Sequence, residues 1–261
     1  MRSLWPEWPR IRKRLAMQKQ VLLLLDFDGT LSAFSGHRAG ARLTGEIRRL
    51  LVSLQGLPRV DVAILSGRSL EDVRSRVDLP ALYYGGNHGL EIAGPGISFL
   101  HAGAEARRSI VQTLAVLIAR ELGRVPGAAL ENKGLTLSVH YRRVARSSRP
   151  SLRRVRARMR ADASGLPVRW GAGRHVWDLL PRVTWHKGAA ALHVMRHLGG
   201  PFPVALGDDT TDEDLFAAVK GRGIGIRVGR LKSSRADFYL RGQEQVARFL
   251  RETRAALEDR T

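Results

Sequence analysis

The sequence contains no cysteine, which excludes disulfide bonds, thiolate-bound zinc, iron–sulfur clusters and thiol nucleophiles. Lysine is scarce, with six residues among the 44 basic ones, and acidic residues number only 24. No apolar run approaches the roughly 20 residues that a membrane-spanning helix needs, and none has the form of a secretory signal. We therefore expect a cytoplasmic protein in which any metal is bound by oxygen ligands.

The formal net charge of +20 comes almost entirely from arginine. Such an excess is typical of proteins that bind nucleic acid, an acidic membrane surface or an anionic substrate, and it also arises from arginine-biased composition alone. The arginines are scattered along the chain and form no cluster interleaved with aromatic residues. We therefore predict no nucleic-acid or membrane partner, favour a monomer, and expect a small anionic substrate.

Buried strands and amphipathic helices alternate in two parts of the chain, 21–102 and 182–261, which predicts an α/β fold with a doubly wound parallel sheet. In the first part the predicted strands cover 21–27, 60–65 and 82–84, and the helices 43–54 and 70–77. In the second part the predicted strands cover 202–206, 223–228 and 237–240, and the helices 187–198, 212–219 and 243–257.

Residues 103–181 follow a different pattern and are predicted to form an inserted α/β domain of order αββαββ with an open-faced antiparallel sheet. Its helices are expected over 104–122 and 151–163, and its strands within 129–142 and 167–179. Residues 1–20 are basic and contain Pro6 and Pro9. We expect them to be an extended lead-in with a short helix near 11–19.

The first predicted strand delivers two carboxylates, Asp26 and Asp28, to its end, followed by Gly29 and Thr30. Carboxylates two residues apart on an extended chain leave the same face, and they resist joint ionisation unless a cation or a proton lies between them. One can act as a nucleophile while the other transfers protons. The alternative is an ordinary Asp-Gly turn with capping side chains.

Two further polar residues flank predicted helices. Ser66 lies between a buried strand and a helix, where its hydroxyl and the nearby amides can hold an anion, or where it simply caps the helix. Lys187 precedes another helix and is either a surface lysine or the cation that balances nearby acids and holds a phosphate.

A second acidic cluster follows the predicted strand 202–206. It contains Asp208, Asp209, Asp212 and Glu213. Mg²⁺ prefers a few carboxylates together with water, so this cluster suggests a Mg²⁺ site. Helix capping by Asp209 and Asp212 is the alternative, and it accounts for only some of the acids.

Together these residues resemble the four motifs of the haloacid dehalogenase superfamily of phosphatases, in order and in spacing. The motifs are Asp26-Phe27-Asp28-Gly29-Thr30, Ser66, Lys187 and Gly207-Asp208-Asp209-x-x-Asp212. The insert after the second motif resembles that superfamily's α/β cap. A narrower resemblance, to the trehalose-6-phosphate phosphatases, is carried by Gly86–Glu91, Glu131–Leu135, His140–Arg142 and 207–214.

The resemblance implies hydrolysis of trehalose 6-phosphate to trehalose and phosphate, the last step of trehalose biosynthesis. Phosphatases of another sugar phosphate, such as sucrose 6-phosphate or mannosyl-3-phosphoglycerate, are the alternative. A basic nucleic-acid-binding module is an alternative of a different class, and it leaves the four motifs unexplained. One departure from the family pattern is that Asp178 and Leu180 stand before Pro181, where the family usually has Glu and Arg.

By the same resemblance, Asp26 is the nucleophile that forms an aspartyl-phosphate and Asp28 is the proton donor and acceptor. Ser66 and Lys187 are expected to hold the phosphoryl oxygens. The Mg²⁺ cofactor is expected at Asp26, Asp28 and Asp208, with support from Asp209 and Asp212. The expected substrate-binding residues are Asp26, Phe27, Asp28, Gly67, Arg68, Asn87, Glu131, Lys133, Arg142 and Asp178.

Overall fold

The computed structural model of the protein describes residues 1–33, 40–173 and 175–258. The chain divides into two compact units, which are described separately below. Unit 1 comprises Met1–Phe99 and Trp185–Thr261, and unit 2 comprises Leu100–Thr184.

The strands in chain order are β1 (Arg2–Ser3), β2 (Val21–Leu25), β3 (Val60–Leu65), β4 (Tyr83–Gly86), β5 (Glu91–Gly94), β6 (Ile97–Leu100), β7 (Ala129–Asn132), β8 (Leu137–His140), β9 (Val168–Gly173), β10 (Val176–Pro181), β11 (Phe202–Gly207), β12 (Ile224–Val228) and β13 (Phe238–Leu240). The α-helices are α1 (Leu4–Ala16), α2 (Gly45–Gln55), α3 (Leu70–Val77), α4 (Ala102–Glu105), α5 (Arg108–Leu122), α6 (Arg149–Asp162), α7 (Lys187–His197), α8 (Asp212–Val219) and α9 (Val246–Glu258).

Unit 1 is built on a sheet of order β1-β13-β12-β11-β2-β3-β4-β5-β6. The pairs from β1 to β4 are parallel, and β5 is antiparallel to β4. Alternate residues of β2 face opposite layers, because Leu22 and Leu24 belong to an apolar cluster with α7 and α8, whereas Leu23 and Leu25 cluster with α1, α2, α3 and α9. Helices on both faces of a mainly parallel sheet confirm the predicted doubly wound α/β fold.

The N-terminal segment differs from the predicted extended lead-in, because helix α1 already begins at Leu4. Pro6 is tolerated in the first turn, where its missing N–H has no partner in a helix. Pro9 costs one hydrogen bond inside the helix. Four side chains at helical spacing outweigh that cost by entering the core, and they are Leu4, Trp8, Ile11 and Leu15.

Two further elements differ from the predictions. The hairpin of β5 and β6 was not expected, although Pro95-Gly96 between the two strands is a turn signal and Gly96 has a φ of 68°. The single helix predicted over 104–122 is instead divided into α4 and α5. Apolar spacing does not reveal such a break, since residues on both sides of it lie on the same face.

Unit 2 contains an antiparallel sheet of order β7-β8-β10-β9. One face of this sheet packs on α5 and α6 through an apolar cluster that includes Val111, Leu152, Leu137, Trp177 and Leu179. This arrangement agrees with the predicted open-faced sheet backed by helices. Among the described residues, no helix has both the length and the apolar character that crossing a membrane requires.

The sheet of unit 1 brings the predicted motifs together at one edge. Strands β11, β2 and β3 are neighbours and parallel, so their carboxyl ends lie side by side. Asp26 follows β2, Ser66 follows β3, and Asp208 follows β11. Polar groups that are distant in sequence therefore meet at a single crevice.

Candidate active site

Asp26 lies at the centre of the crevice and is almost completely buried, with 4% of its surface exposed. One carboxylate oxygen, Oδ1, accepts a hydrogen bond from Lys187 Nζ at 2.6 Å. The other, Oδ2, is buried and has no hydrogen-bond partner among the described residues. Burial raises the pKa of Asp26 well above its usual value, and this effect exceeds the opposing effect of Lys187.

Lys187 is the first residue of α7 and is also buried, which excludes the surface-lysine alternative. Its Nζ donates to Asp26 and, at 2.8 Å, to Oδ1 of Asp212. Burial disfavours the charge on Lys187, but Asp212 and Asp26 outweigh burial and raise the pKa of this lysine. Lys187 is therefore held as a cation between two carboxylates.

Asp212 is fully buried at the start of α8 and ties the preceding turn together. Its Oδ2 accepts hydrogen bonds from the backbone amides of Asp208 and Asp209 at 3.0 and 2.9 Å. Gly207 is needed for this approach, because a Cβ there would lie 2.4 Å from the carboxylate carbon of Asp212. The N-cap position of α8 is Thr211, whose side chain makes no capping hydrogen bond among the described residues, so Asp212 binds the turn before α8 instead of acting as the predicted helix cap.

Asp208 completes an acidic group with Asp26 and Asp212. Burial, followed by repulsion from Asp212 and Asp209, raises the pKa of Asp208 to about 7. Thr30, which was noted in the sequence, donates to Oδ1 of Asp208 at 3.3 Å.

This acidic group fits a divalent cation. Asp26, Asp208 and Asp212 each offer an oxygen, and these oxygens lie within 4.8 Å of one another. Among the described residues, three carboxylates face one lysine in this group, so their negative charge is incompletely balanced. Oδ2 of Asp26 is a buried acceptor that a cation would satisfy. Asp28 and the exposed Asp209 lie outside this group.

Arg227 supports the acidic turn and was not recognised from the sequence. It is buried in β12 and donates to the backbone carbonyls of Asp208 and Asp209 and to Glu213. Its signal was an arginine inside the otherwise apolar strand Ile224–Val228. A buried arginine requires acidic or carbonyl partners.

Ser66 is buried at the end of β3, and its Oγ accepts a hydrogen bond from the backbone amide of Arg68. The side chain that caps α3 is Ser69, so Ser66 is not the helix cap. The imidazole of His88 lies against Gly67, where a Cβ would be 2.7 Å from its Cε1 atom. His88, in the loop after β4, therefore packs against the turn that follows β3.

Several of the predicted substrate-binding residues near Ser66 contact other residues of unit 1. Asn87 is fully buried at a φ of 50°, and its side-chain amide donates to Glu91 at 2.6 Å. Phe27 is fully buried in the apolar core. Arg68 donates to both carboxylate oxygens of Asp28.

In unit 2 the predicted sugar-binding side chains belong to one face of the sheet, because Glu131 and Asp178 both pair with Ser138 in the strand register. Glu131 is 2.8 Å from His140 Nε2, and Ser138 donates to Asp178. Lys133 is buried, with its Nζ 4.0 Å from Asp178. Glu131 and Lys133 are therefore engaged with neighbours rather than being a fully solvated strand pair.

Other predicted residues of unit 2 are not part of this polar set. Arg142 is exposed. Leu180, at the departure from the family pattern, is buried. Tyr141 and Trp177 pack on each other, with ring centroids 4.5 Å apart.

The fold is shared by solved structures of haloacid dehalogenase-like hydrolases. The family model for trehalose-phosphatase matches residues 24–244, and the chain belongs to that family. The C-terminal domain of the C. albicans trehalose-6-phosphate phosphatase shares the fold with a TM-score of 0.81 at 21% identity, covering 95% of this chain and 96% of that one.

Curated relatives of this family resemble the sequence over most of its length. Trehalose-phosphate phosphatase B of Arabidopsis thaliana is 34% identical over 252 residues, which is 90% of this chain and 66% of the relative. Trehalose-phosphate phosphatase of Mycobacterium avium is 38% identical over 205 residues, 76% of this chain and 51% of the relative. The chain thus spans between half and two thirds of the length of these relatives.

Proposed function

We propose that this protein hydrolyses trehalose 6-phosphate to trehalose and phosphate. The observation that carries the proposal is the buried group of Asp26, Lys187, Asp208 and Asp212 in a chain of the trehalose-phosphatase family. Phosphoryl transfer needs charge neutralisation and alignment above all, and this group supplies both.

Asp26 is the nucleophile in this proposal, because its Oδ1 is aligned by Lys187 while its Oδ2 is buried beside the other acids. Attack of Asp26 on phosphorus forms an aspartyl-phosphate and releases the sugar. Asp28 gives a proton to the leaving sugar oxygen and later takes one from the attacking water. Ser66 and Lys187 bind the phosphoryl oxygens.

Mg²⁺ is the proposed ion at the acidic group, held by Asp26 and Asp208 together with the backbone carbonyl of Asp28. The oxygens of Asp212 already accept hydrogen bonds from Lys187 and two backbone amides, so Asp212 supports the site without binding the ion directly. Asp209 is exposed and is proposed to have the same supporting role. When bound, the ion neutralises negative charge between Asp26 and the phosphate.

Unit 2 is proposed to recognise the sugar. The domain limits proposed from the sequence are 21–102 and 182–261 for the phosphatase core and 103–181 for the cap. Glu131, Lys133 and Asp178 offer acceptors and a fixed ammonium for sugar hydroxyls. A cytoplasmic location and a monomeric state remain predictions of the sequence.

Phosphate release from a panel of sugar phosphates tests this proposal. Trehalose 6-phosphate, sucrose 6-phosphate and mannosyl-3-phosphoglycerate are each assayed with Mg²⁺ and with EDTA. We expect trehalose 6-phosphate to be the preferred substrate and EDTA to abolish turnover. The Asp26→Asn variant, which should lose about 10³-fold or more, controls for contaminating phosphatases. Preference for another sugar phosphate, or full activity in EDTA, would overturn the proposal.

A further inference from the structure

A second charged network lies in unit 1, centred on Arg68 in the turn after β3. Arg68 is only 1% exposed. Its Nε and Nη2 donate to the two carboxylate oxygens of Asp28 at 2.7 and 2.6 Å, and its Nη1 donates to Asp72 at 2.6 Å. Each nitrogen of the guanidinium is thus directed at a carboxylate, in the fork geometry that fixes both partners.

Helix α3 anchors this network from behind. Asp72 lies in the first turn of α3, where its amide donates to the capping Ser69. Its second oxygen accepts from Arg76 Nε at 2.8 Å, and Arg76 in turn donates to the carbonyl of Ala41. The guanidinium of Arg68 is therefore fixed by its contact with α3.

The two charged groups of unit 1 differ in charge balance. In the second network the ion pairs between described residues join two arginines to two aspartates, so these formal charges cancel. Although burial opposes it, hydrogen bonding from Arg76 and Arg68 lowers the pKa of Asp72. In the first group three carboxylates face a single lysine. A divalent cation therefore fits the first group and has no charge to neutralise in the second.

The geometry points to Arg68 as a positioning residue that holds the Asp28 carboxylate beside the phosphoryl site and apart from the cationic centre. Asp28 follows the nucleophile Asp26 by two residues, so Lys187 and a bound cation are the charges that would otherwise attract it. The inference rests on the proposed function, in which Asp28 transfers a proton to and from the substrate. It also assigns Arg68 a role other than the substrate contact expected from the sequence.

The consequence is a dependence on the leaving group. A sugar alkoxide is a poor leaving group and needs a proton as its bond to phosphorus breaks, whereas p-nitrophenolate leaves without one. Hydrolysis of the aspartyl-phosphate is common to both substrates, whereas kcat/KM covers only the steps up to release of the leaving group. A misplaced Asp28 therefore lowers kcat/KM for trehalose 6-phosphate much more than kcat/KM for p-nitrophenyl phosphate. A residue that only supports the fold would affect both substrates alike.

The test compares three variants on both substrates. Arg68→Lys keeps the positive charge but cannot grip two oxygens at once, and Asp72→Asn weakens the anchor without touching Asp28. Glu71→Gln is the matched control, since Glu71 lies in the same first turn of α3 and is exposed. Thermal unfolding of each variant shows whether the fold is kept.

We expect Arg68→Lys to lower kcat/KM for trehalose 6-phosphate by about tenfold or more and Asp72→Asn by about threefold to tenfold. Both should change kcat/KM for p-nitrophenyl phosphate by less than about threefold, and Glu71→Gln should change kcat/KM for neither substrate. Equal losses on the two substrates, or no loss on either, would overturn the assignment of Arg68.

Failure of the proposed function would be recognised separately. A parent protein that hydrolyses p-nitrophenyl phosphate but not trehalose 6-phosphate contradicts the proposed substrate. The same variants are then compared on phenyl phosphate and p-nitrophenyl phosphate, because phenolate is the more basic leaving group. A selective loss on phenyl phosphate supports the role of Arg68, and equal losses contradict it.

Discussion

The buried carboxylates of unit 1 carry unfavourable charge in the absence of a cation. Burial and neighbouring acids raise the pKa of Asp208 from 3.8 to about 7. As pH rises from about 4 to about 7, the unfolded chain loses this proton while the folded protein keeps it. The free energy of unfolding of the metal-free protein therefore receives a contribution from Asp208 that decreases over this range.

Asp208→Asn should consequently stabilise the metal-free protein, because the amide cannot ionise. We expect the melting temperature in EDTA to rise by several degrees at about pH 8 and by less at about pH 5. Adding Mg²⁺ should raise the melting temperature of the parent and have little effect on the variant.

The exposed neighbour Asp209 provides the comparison for this experiment. Asp209→Asn removes only one of the smaller causes of the raised pKa of Asp208, so the melting temperature in EDTA should rise much less than in Asp208→Asn. If Asp208→Asn instead lowered the melting temperature equally at both pH values, the electrostatic account of the acidic group would be contradicted.

At the scale of single elements, α1 is the part of the fold that the sequence analysis misjudged most. It packs on the sheet of unit 1 through residues that include Leu15, which is fully buried, whereas Met17 just beyond the helix is 68% exposed. The segment therefore contributes to the stability of unit 1.

Leu15→Ala should lower the free energy of unfolding by about 2–5 kcal/mol, because it leaves a cavity in the core. Met17→Ala, the matched control, should change it by less than about 0.5 kcal/mol. Urea titration followed by circular dichroism measures both. A change of similar small size in the two variants would mean that α1 is not part of the cooperative unit.

The strands that position the site could be predicted from the sequence, because each is a run of mainly apolar residues followed directly by a polar one. Val21–Leu25 is a run of five apolar residues that ends at Asp26, and Phe202–Gly207 ends at Asp208 in the same way. The prolines of α1 concealed its amphipathic spacing, and the β5–β6 hairpin was short enough to pass as a loop. Local sequence signals thus identified the central strands of the sheet better than the elements at its edges.

Individual partners within the site were less predictable, because they depend on three-dimensional proximity. Nothing local to Arg68 distinguishes a substrate contact from a pairing with Asp28, forty residues earlier in the chain. The hydrogen bond from Arg227 to the backbone carbonyl of Asp208 spans nineteen residues. The spacing of motifs predicted the chemistry of the site, and only the fold shows which charges are paired.

At the scale of the whole molecule, positive charge is unevenly distributed between the two units. Residues 100–184 contain 17 Lys and Arg against five Asp and Glu, a formal net charge of +12 of the total +20. A surplus of this size attracts a phosphate dianion over distances comparable to the Debye length. Charge therefore favours encounter with the proposed substrate.

Raising the NaCl concentration from about 0.05 M to about 0.5 M should lower kcat/KM for trehalose 6-phosphate by at least about threefold, because the attraction is screened. The maximal rate, kcat, should change little, since the substrate is already bound. Repeating the series with other monovalent salts at equal ionic strength separates screening from specific anion binding. An unchanged kcat/KM would remove any role for the net charge in substrate capture.

The two units have different proposed roles, phosphoryl transfer in unit 1 and sugar recognition in unit 2. The phosphoryl-transfer residues lie in unit 1, and the proposed sugar-binding residues lie in unit 2. An aryl phosphate needs only the first set, whereas a disaccharide phosphate gains orientation from binding energy remote from phosphorus. Glu131 is suited to test the claim because it belongs to the polar face of the unit 2 sheet, opposite the apolar core.

The most direct measurement is therefore the steady-state kinetics of Glu131→Ala on two substrates, with Asp162→Ala, an exposed acid of unit 2, as the control. We predict that Glu131→Ala lowers kcat/KM for trehalose 6-phosphate roughly 30-fold to 1000-fold, because sugar hydroxyls lose a fixed acceptor. Hydrolysis of p-nitrophenyl phosphate should change by less than about threefold, and Asp162→Ala should affect neither substrate. Equal losses on both substrates in Glu131→Ala would contradict the claim that unit 2 recognises the sugar.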